Sequence, residues 1–186
     1  ALNVIKNELE ANNIDAEIFQ AGSTTKGCMG CSYCKKNGKC VTNDCVNEAL
    51  ELIENADGVV FGSPVHYAAA SGVMTSFLDR LFYSTHFDKR MKVGASVAVA
   101  RRGGCSATFD QLNKYFTISG MPVASGQYWN SVHGAAPLEA EEDAEGLQSM
   151  RTLAENMAFL MKSIQLGKEK YGLPEQETRF FTNFVR

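Results

Sequence analysis

A chain of 186 residues that is 45% hydrophobic and carries a net charge of −3 can bury one good core, and it reads as a single domain. Its basic residues are dispersed, which argues against nucleic-acid binding, and no apolar run approaches the ~18 residues that a membrane span needs. Five of the six cysteines crowd between Cys28 and Cys45 while Cys105 stands alone, unlike a secreted disulfide framework. With no signal-peptide pattern at the start, the expectation is a reducing, cytoplasmic setting and a metal or redox role for the cluster.

Residues 1–12 read as an amphipathic helix with Leu2, Ile5 and Leu9 on one face. Residues 16–20 (AEIFQ) read as a short strand. The cysteine segment GCMGCSYCKKNGKCVTNDC (27–45) follows, and Asn43 or Asp44 is placed to cap a helix with Val46, Ala49, Leu50 and Ile53 on one face. Gly58-Val59-Val60-Phe61 is continuously apolar, as in a strand covered on both faces of a parallel sheet, and Gly62-Ser63-Pro64 is expected to end it. Ser71-Gly72 opens a helix with Val73, Phe77 and Leu81 four apart, running to about Tyr83. Between them, Pro64-Val65-His66-Tyr67 reads as a loop outside the carboxyl end of a strand, where open α/β sheets bind ligands.

Residues 92–100 (KVGASVAVA) form the next expected strand, which ends at a second such loop, Arg101-Arg102-Gly103-Gly104. Ser106 is expected to cap a helix bearing Phe109, Leu112 and Phe116, and residues 121–124 to form a short strand before a variable stretch, 125–137. Leu147, Met150, Ala154, Met157, Met161 and Ile164 alternate three and four apart in a last helix, where the methionines read as core packing. The alternation of strands and helices predicts a doubly wound parallel α/β sheet.

The pattern GSPVHY…SGVMTSFLDR (62–67 and 71–80) resembles the flavin loop and following helix of the NADPH-dependent FMN reductase and iron–sulfur flavoprotein group, which has a flavodoxin-like fold. The resemblance runs from the cysteine motif to the final TNFVR. It implies three layers, strand order 2-1-3-4-5, and one FMN-binding domain over 1–186 with a cysteine-rich insertion at 27–45 and a tail at 171–186. In that group a strand and a phosphate loop precede the first helix. Nothing in this sequence matches them, so a central first strand and the phosphate loop, about 15–20 residues, are expected before Ala1. The aromatic tail is expected to pack on its own domain or on a second subunit.

The resemblance places FMN against Ser63, Pro64, Val65, His66 and Tyr67, and against Arg101, Gly103 and Gly104 of the second loop. Backbone N–H groups would serve the polar ring atoms, Tyr67 would stack or hydrogen-bond, and an arginine would offset reduced-flavin charge or grip an NADPH phosphate. His66 reads as a contact rather than an acid–base catalyst. The stretch Gln127 to Gly134, with the single Trp129 and with His133, reads as packing. Cys28-x2-Cys31-x2-Cys34-x5-Cys40 resembles the compact motif that holds a [4Fe–4S] cluster in iron–sulfur flavoproteins; zinc and free thiols are the other readings. Cys45, near a helix start, reads as a low-pKa thiol.

The absence of an obvious acid–base or nucleophilic set suits a flavin, which carries its own redox chemistry. The leading expectation is an FMN-dependent homodimeric enzyme passing electrons from NAD(P)H to a quinone, nitroaromatic or flavin by a ping-pong route. The alternative is an iron–sulfur flavoprotein that carries electrons between proteins. The third is a cysteine-rich sensor without flavin.

Overall fold

The computed structural model describes residues 1–23 and 25–184, so Val185 and Arg186 of the expected tail lie outside the described residues. Helix α1 (Leu2–Ala11) opens the chain, followed by the one-turn α2 (Tyr33–Asn37) and by α3 (Cys45–Asn55). Strand β1 (Gly58–His66) forms a hairpin with β2 (Ala69–Ala70) and leads to α4 (Gly72–Ser84). Strand β3 (Val93–Ala100), α5 (Cys105–Thr117), β4 (Ser131–His133), a 3-10 turn (Glu139–Glu141) and α6 (Ala144–Tyr171) complete the order.

The sheet runs β2-β1-β3-β4, with β1, β3 and β4 parallel and the two-residue β2 antiparallel at one edge. Helices cover both faces. On one, Ile5 and Leu9 of α1 and Met150, Leu153 and Met157 of α6 meet Val93, Ala95 and Val97. On the other, α3, α4 and α5 bring Val46, Leu50, Phe77, Leu78, Leu81, Leu112 and Phe116 together over Phe61. Each fully buried side chain of this size contributes roughly 1.5–3 kcal/mol. Phe116 stacks on Phe61 with ring centroids 5.0 Å apart. It also lies so close to the sheet that a Cβ on Gly94 would come 2.5 Å from its ring, so β3 needs a glycine there.

The caps follow the expected chemistry in two places. Asp44 accepts the Val46 N–H at the start of α3, and Ser71 accepts the Met74 N–H at the start of α4. The last helix buries Met150, Ala154 and Met157 as the spacing predicts, but it continues through Gly167 to Tyr171.

Four expectations are corrected. Residues 16–20 belong to no strand, because a short apolar-rich run makes a strand only where a neighbouring backbone supplies the ladder. Strand β1 does not stop at Gly62: Ser63 pairs with Ala98 and Pro64 with Val99. Ser106 lies inside α5, whose N-cap is Gly104. Residues 121–124 make one bridge, Val123 to Gly94, and the same side of β3 is paired again by β4, inside the stretch expected to be variable. The parallel run β1-β3-β4 thus keeps the neighbours expected of the last three strands of 2-1-3-4-5, with the short β2 at the edge beside β1.

Candidate cofactor sites: two strand-end loops and a four-cysteine cleft

Because β1 continues to His66, the loop at its carboxyl end shrinks to the turn Tyr67-Ala68. Both residues sit in the left-handed region, with φ of 50° and 61°. That is the geometry of a two-residue hairpin turn, normally given to Asn or Gly. Non-glycine residues there cost roughly 1–2 kcal/mol each, so the surrounding contacts must hold them. Three do so. The buried Ser63 hydroxyl accepts the Ser71 N–H at 3.0 Å, the Gln111 side chain accepts the Ala70 N–H at 3.1 Å, and Gly104 packs against Ala68.

The strained turn pushes Tyr67 fully into the open, at 105% relative exposure, so its ring is presented outward and unspent. Pro64 and His66 are also exposed and, two residues apart on a strand, share one face. Ser63 is only 2% exposed, and its hydroxyl pins the turn from beneath. Val65 is half-buried, and its side chain packs against the Gly104 backbone.

The second loop leans on the first. Gly104 has φ +90°, and a Cβ there would fall 2.7 Å from Ala68 Cα and 2.8 Å from Val65 Cγ1. Gly104 therefore joins the loops, whereas Gly103 has open space around it. Arg101 and Arg102 are exposed, and among the described residues neither has a hydrogen-bond or ion-pair partner. Helix α5 starts here without a side-chain cap, leaving its positive end available to anionic groups. An outward aromatic on a braced turn, unspent guanidinium groups and an uncapped helix start fit an anionic flavin nucleotide.

The cysteines form a separate region. Cys28, Cys31, Cys34 and Cys40 line one cleft with Arg80, Tyr83 and Ser84, and all four are free thiols. Among the described residues no three His, Cys, Asp or Glu side chains converge closely enough to hold a metal. Cys40 is the fixed member. Asn47 brackets its backbone, accepting the Cys40 N–H at 2.9 Å and donating to its carbonyl at 3.1 Å. Arg80, only 2% exposed, donates to Cys40 Sγ from Nε at 3.3 Å and Nη2 at 3.2 Å.

The same guanidinium grips Asp44 bidentately at 2.7 and 2.8 Å and reaches the Lys26 and Thr42 carbonyls, both at 3.3 Å. It holds the Asp44 carboxyl below the usual carboxylate range, and Asp44 in turn raises the Arg80 pKa. A permanent cation pressed on one of four thiols suits a thiolate-ligated cluster, whose negative charge it would offset. Cys28 and Cys31 are exposed, and Cys34 Sγ lies 3.5 Å from the Tyr83 carbonyl. Cys45, the first residue of α3, is not in the cleft; its sulfur accepts the Gly22 N–H at 3.4 Å.

Sequence reasoning missed Arg80. The residue closes an amphipathic helical pattern, and its partners lie 36 to 54 positions upstream, so no local signal marks it. His133, read as packing, is exposed and lies between Cys105 and Asp143.

The profile of the NADPH-dependent FMN reductase family matches residues 1–136. An iron–sulfur flavoprotein of Methanocaldococcus jannaschii is 34% identical over 174 residues, covering 89% of this chain and 88% of its own length. One from Methanosarcina thermophila is 27% identical, covering 82% and 81% respectively. In structure the chain is similar to RosB, with a TM-score of 0.64 at 15% identity, covering 100% of this chain and 85% of RosB. It is also similar to a flavodoxin from the domain Archaea, with a TM-score of 0.58 at 17% identity over 86% and 87% of the two chains. At such identities the structural likeness shows the flavodoxin-like α/β fold alone. Profile and relatives together show that the chain belongs to the NADPH-dependent FMN reductase and iron–sulfur flavoprotein group, a family of flavin-dependent oxidoreductases.

Proposed function

We propose that the protein is an iron–sulfur flavoprotein that carries electrons between protein partners, holding FMN at the strand-end loops and a [4Fe–4S] cluster on Cys28, Cys31, Cys34 and Cys40. The observation that carries this reading is the shared cleft of four free thiols with the Arg80 guanidinium against Cys40. When bound, the flavin exchanges a hydride or single electrons and the cluster single electrons. The chain's own residues do the rest. Arg80 and Asn47 fix Cys40, while Cys28 and Cys31 are exposed and would have to draw nearer to Cys40 to share a cluster with it. Tyr67, His66 and Pro64 would offer a face to a flavin, Arg101 and Gly103 would be available to hold it from the second loop, and Ser63 and Gly104 hold the two loops in register.

A second reading, a reductase passing electrons from NAD(P)H to a small quinone, nitroaromatic or flavin acceptor, is favoured by Arg101 and Arg102, which have no partner among the described residues and suit a nucleotide phosphate. Anaerobic purification followed by iron, sulfide and flavin analysis separates the two. The carrier reading expects about four irons and four sulfides per chain, with faster reduction by a ferredoxin-type donor than by NADPH. Bound flavin without iron or sulfide, bleached quickly by NADPH, would put the reductase reading in its place. The exposed Phe180, Phe181 and Phe184 of the tail suit self-association as a homodimer. Sedimentation of the protein with and without residues 173–186 checks this.

A further inference from the structure

Beside the loops described above, three side chains from three elements meet at the carboxyl end of the sheet. Cys105 opens α5, His133 ends β4, and Asp143 is the N-cap of α6. Cys105 Sγ lies 3.8 Å from His133 Nε2, and His133 Nδ1 lies 3.5 Å from Asp143 Oδ2. Asp143 is itself fixed, since Oδ2 accepts the His133 backbone N–H at 2.7 Å and Oδ1 accepts the Gly146 N–H at 2.9 Å. Burial works against its charge, but these N–H groups and the His133 ring outweigh it and hold the carboxyl below its ordinary range. An ionised carboxylate beside Nδ1 selects the tautomer protonated there, which leaves the Nε2 lone pair facing the thiol. Nucleophile, base and a third group that orients the base are the parts of an activated nucleophile.

A second observation concerns what would approach this thiol. Arg101 and Arg102 lie in the loop that leads directly into Cys105, both exposed and, among the described residues, without partners. The uncapped start of α5 adds its positive end at Cys105. Two cationic side chains thus stand three and four residues before the sulfur in the chain.

We propose that Cys105 is a nucleophilic thiol, with His133 as its base and Asp143 as the residue that positions the base, and that it exchanges with disulfides of small anionic thiols drawn in by Arg101 and Arg102. Cys105 Sγ attacks one sulfur of the disulfide while its proton passes to His133 Nε2. The incoming S–S bond breaks, and the departing thiolate leaves with the electron pair of that bond and takes the proton from Nε2. The products are a mixed disulfide on Cys105 and one free small thiol, so one sulfur is oxidised as another is reduced and no further oxidant is needed. Burial pushes the Cys105 thiol up, so it waits protonated and the base acts as the new bond forms. The step uses neither flavin nor cluster, although it shares Arg101 and the start of α5 with the flavin reading above.

The test treats the full-length holoprotein, kept anaerobic, with oxidised glutathione as an anionic probe and bis(2-hydroxyethyl) disulfide as a neutral one. Peptide mass mapping then separates Cys105 from the other five cysteines. The expected result is a dithiothreitol-reversible adduct on the Cys105 peptide, forming at least about tenfold faster than in His133→Gln, within the usual reach of general-base assistance. The anionic probe is expected to outrun the neutral one at low salt, and Arg101→Gln/Arg102→Gln to erase that lead. An unchanged Cys105 rate in a folded His133→Gln variant would overturn the assignment, as would the absence of any Cys105 adduct in the unaltered protein. Equal rates for the two probes on the unaltered protein, a comparison needing no variant, would overturn the anionic preference.

Discussion

The strand-end loops and the cysteine cleft achieve order in opposite ways. The loops inherit their positions from β1 and β3, which pair over Gly58 to Pro64, and the hairpin is further locked by Ser63, Gln111 and Gly104. The cleft has no strand in it. Its one firm point is Cys40, held by Asn47 and by a guanidinium that makes six hydrogen bonds at once. Sheet-borne geometry is distributed over many weak contacts. Arginine-borne geometry is concentrated in one residue, and should fail when that residue is removed.

The largest effect is therefore expected at Arg80. Arg80→Met leaves Asp44 without its partner and Cys40 without its donors, and is expected to cost about 3 kcal/mol, the lower end for breaking a buried pair because Asp44 is partly exposed. Chemical denaturation measures the loss, and Cys40 should alkylate faster with iodoacetamide while Cys28 does not. If stability holds, the cleft is not organised by one residue and the contrast between the regions collapses.

Next comes Gly104→Ala. The added Cβ meets the Ala68 backbone at 2.7 Å in a left-handed conformation, so a loss of about 2 kcal/mol is expected from strain and overlap together. The displaced turn should also weaken FMN binding, read by quenching of flavin fluorescence. Full stability with weakened flavin would sharpen the comparison, showing that the loop contact serves the ligand rather than the fold.

The smallest effect is in pH. Asp44 titrates below its ordinary value of 3.8 because Arg80 holds it, so on acidification the unfolded chain takes up a proton before the folded one does. The Asp44 contribution is complete above about pH 4 and is lost as pH falls through the lower folded value. Urea midpoints measured from pH 6 downward should decline less in Asp44→Asn than in the unaltered protein.

What the sequence made legible were features written locally. Asp44 and Ser71 announce helix starts, the three-and-four spacing from Met150 to Met157 announces α6, and the apolar runs announce β1 and β3. What it hid were properties of pairs. Residues 16–20 read as a short strand but meet no ladder, and Pro64, which looks like a terminator, sits in register with Val99. The reach of Arg80 back to Asp44, and the meeting of Cys105, His133 and Asp143, join segments distant in the chain. Such meetings exist only once the sheet has brought strand ends and helix starts together. At the two strand-end loops the pattern marked residues that come together, yet it could not separate those that face outward from Ser63 and Gly104, which hold them there.

The interrupted pairing along β3 has a consequence for how this molecule lives beside copies of itself. A sheet border with a long uninterrupted row of free backbone groups invites another chain to add a strand, the first step toward aggregation. Here that border offers one bridge at Val123, then the excursion through Tyr128 and Trp129, then the three residues of β4. An incoming strand would lose register before gaining more than a few bonds, so the break acts as a guard on this edge.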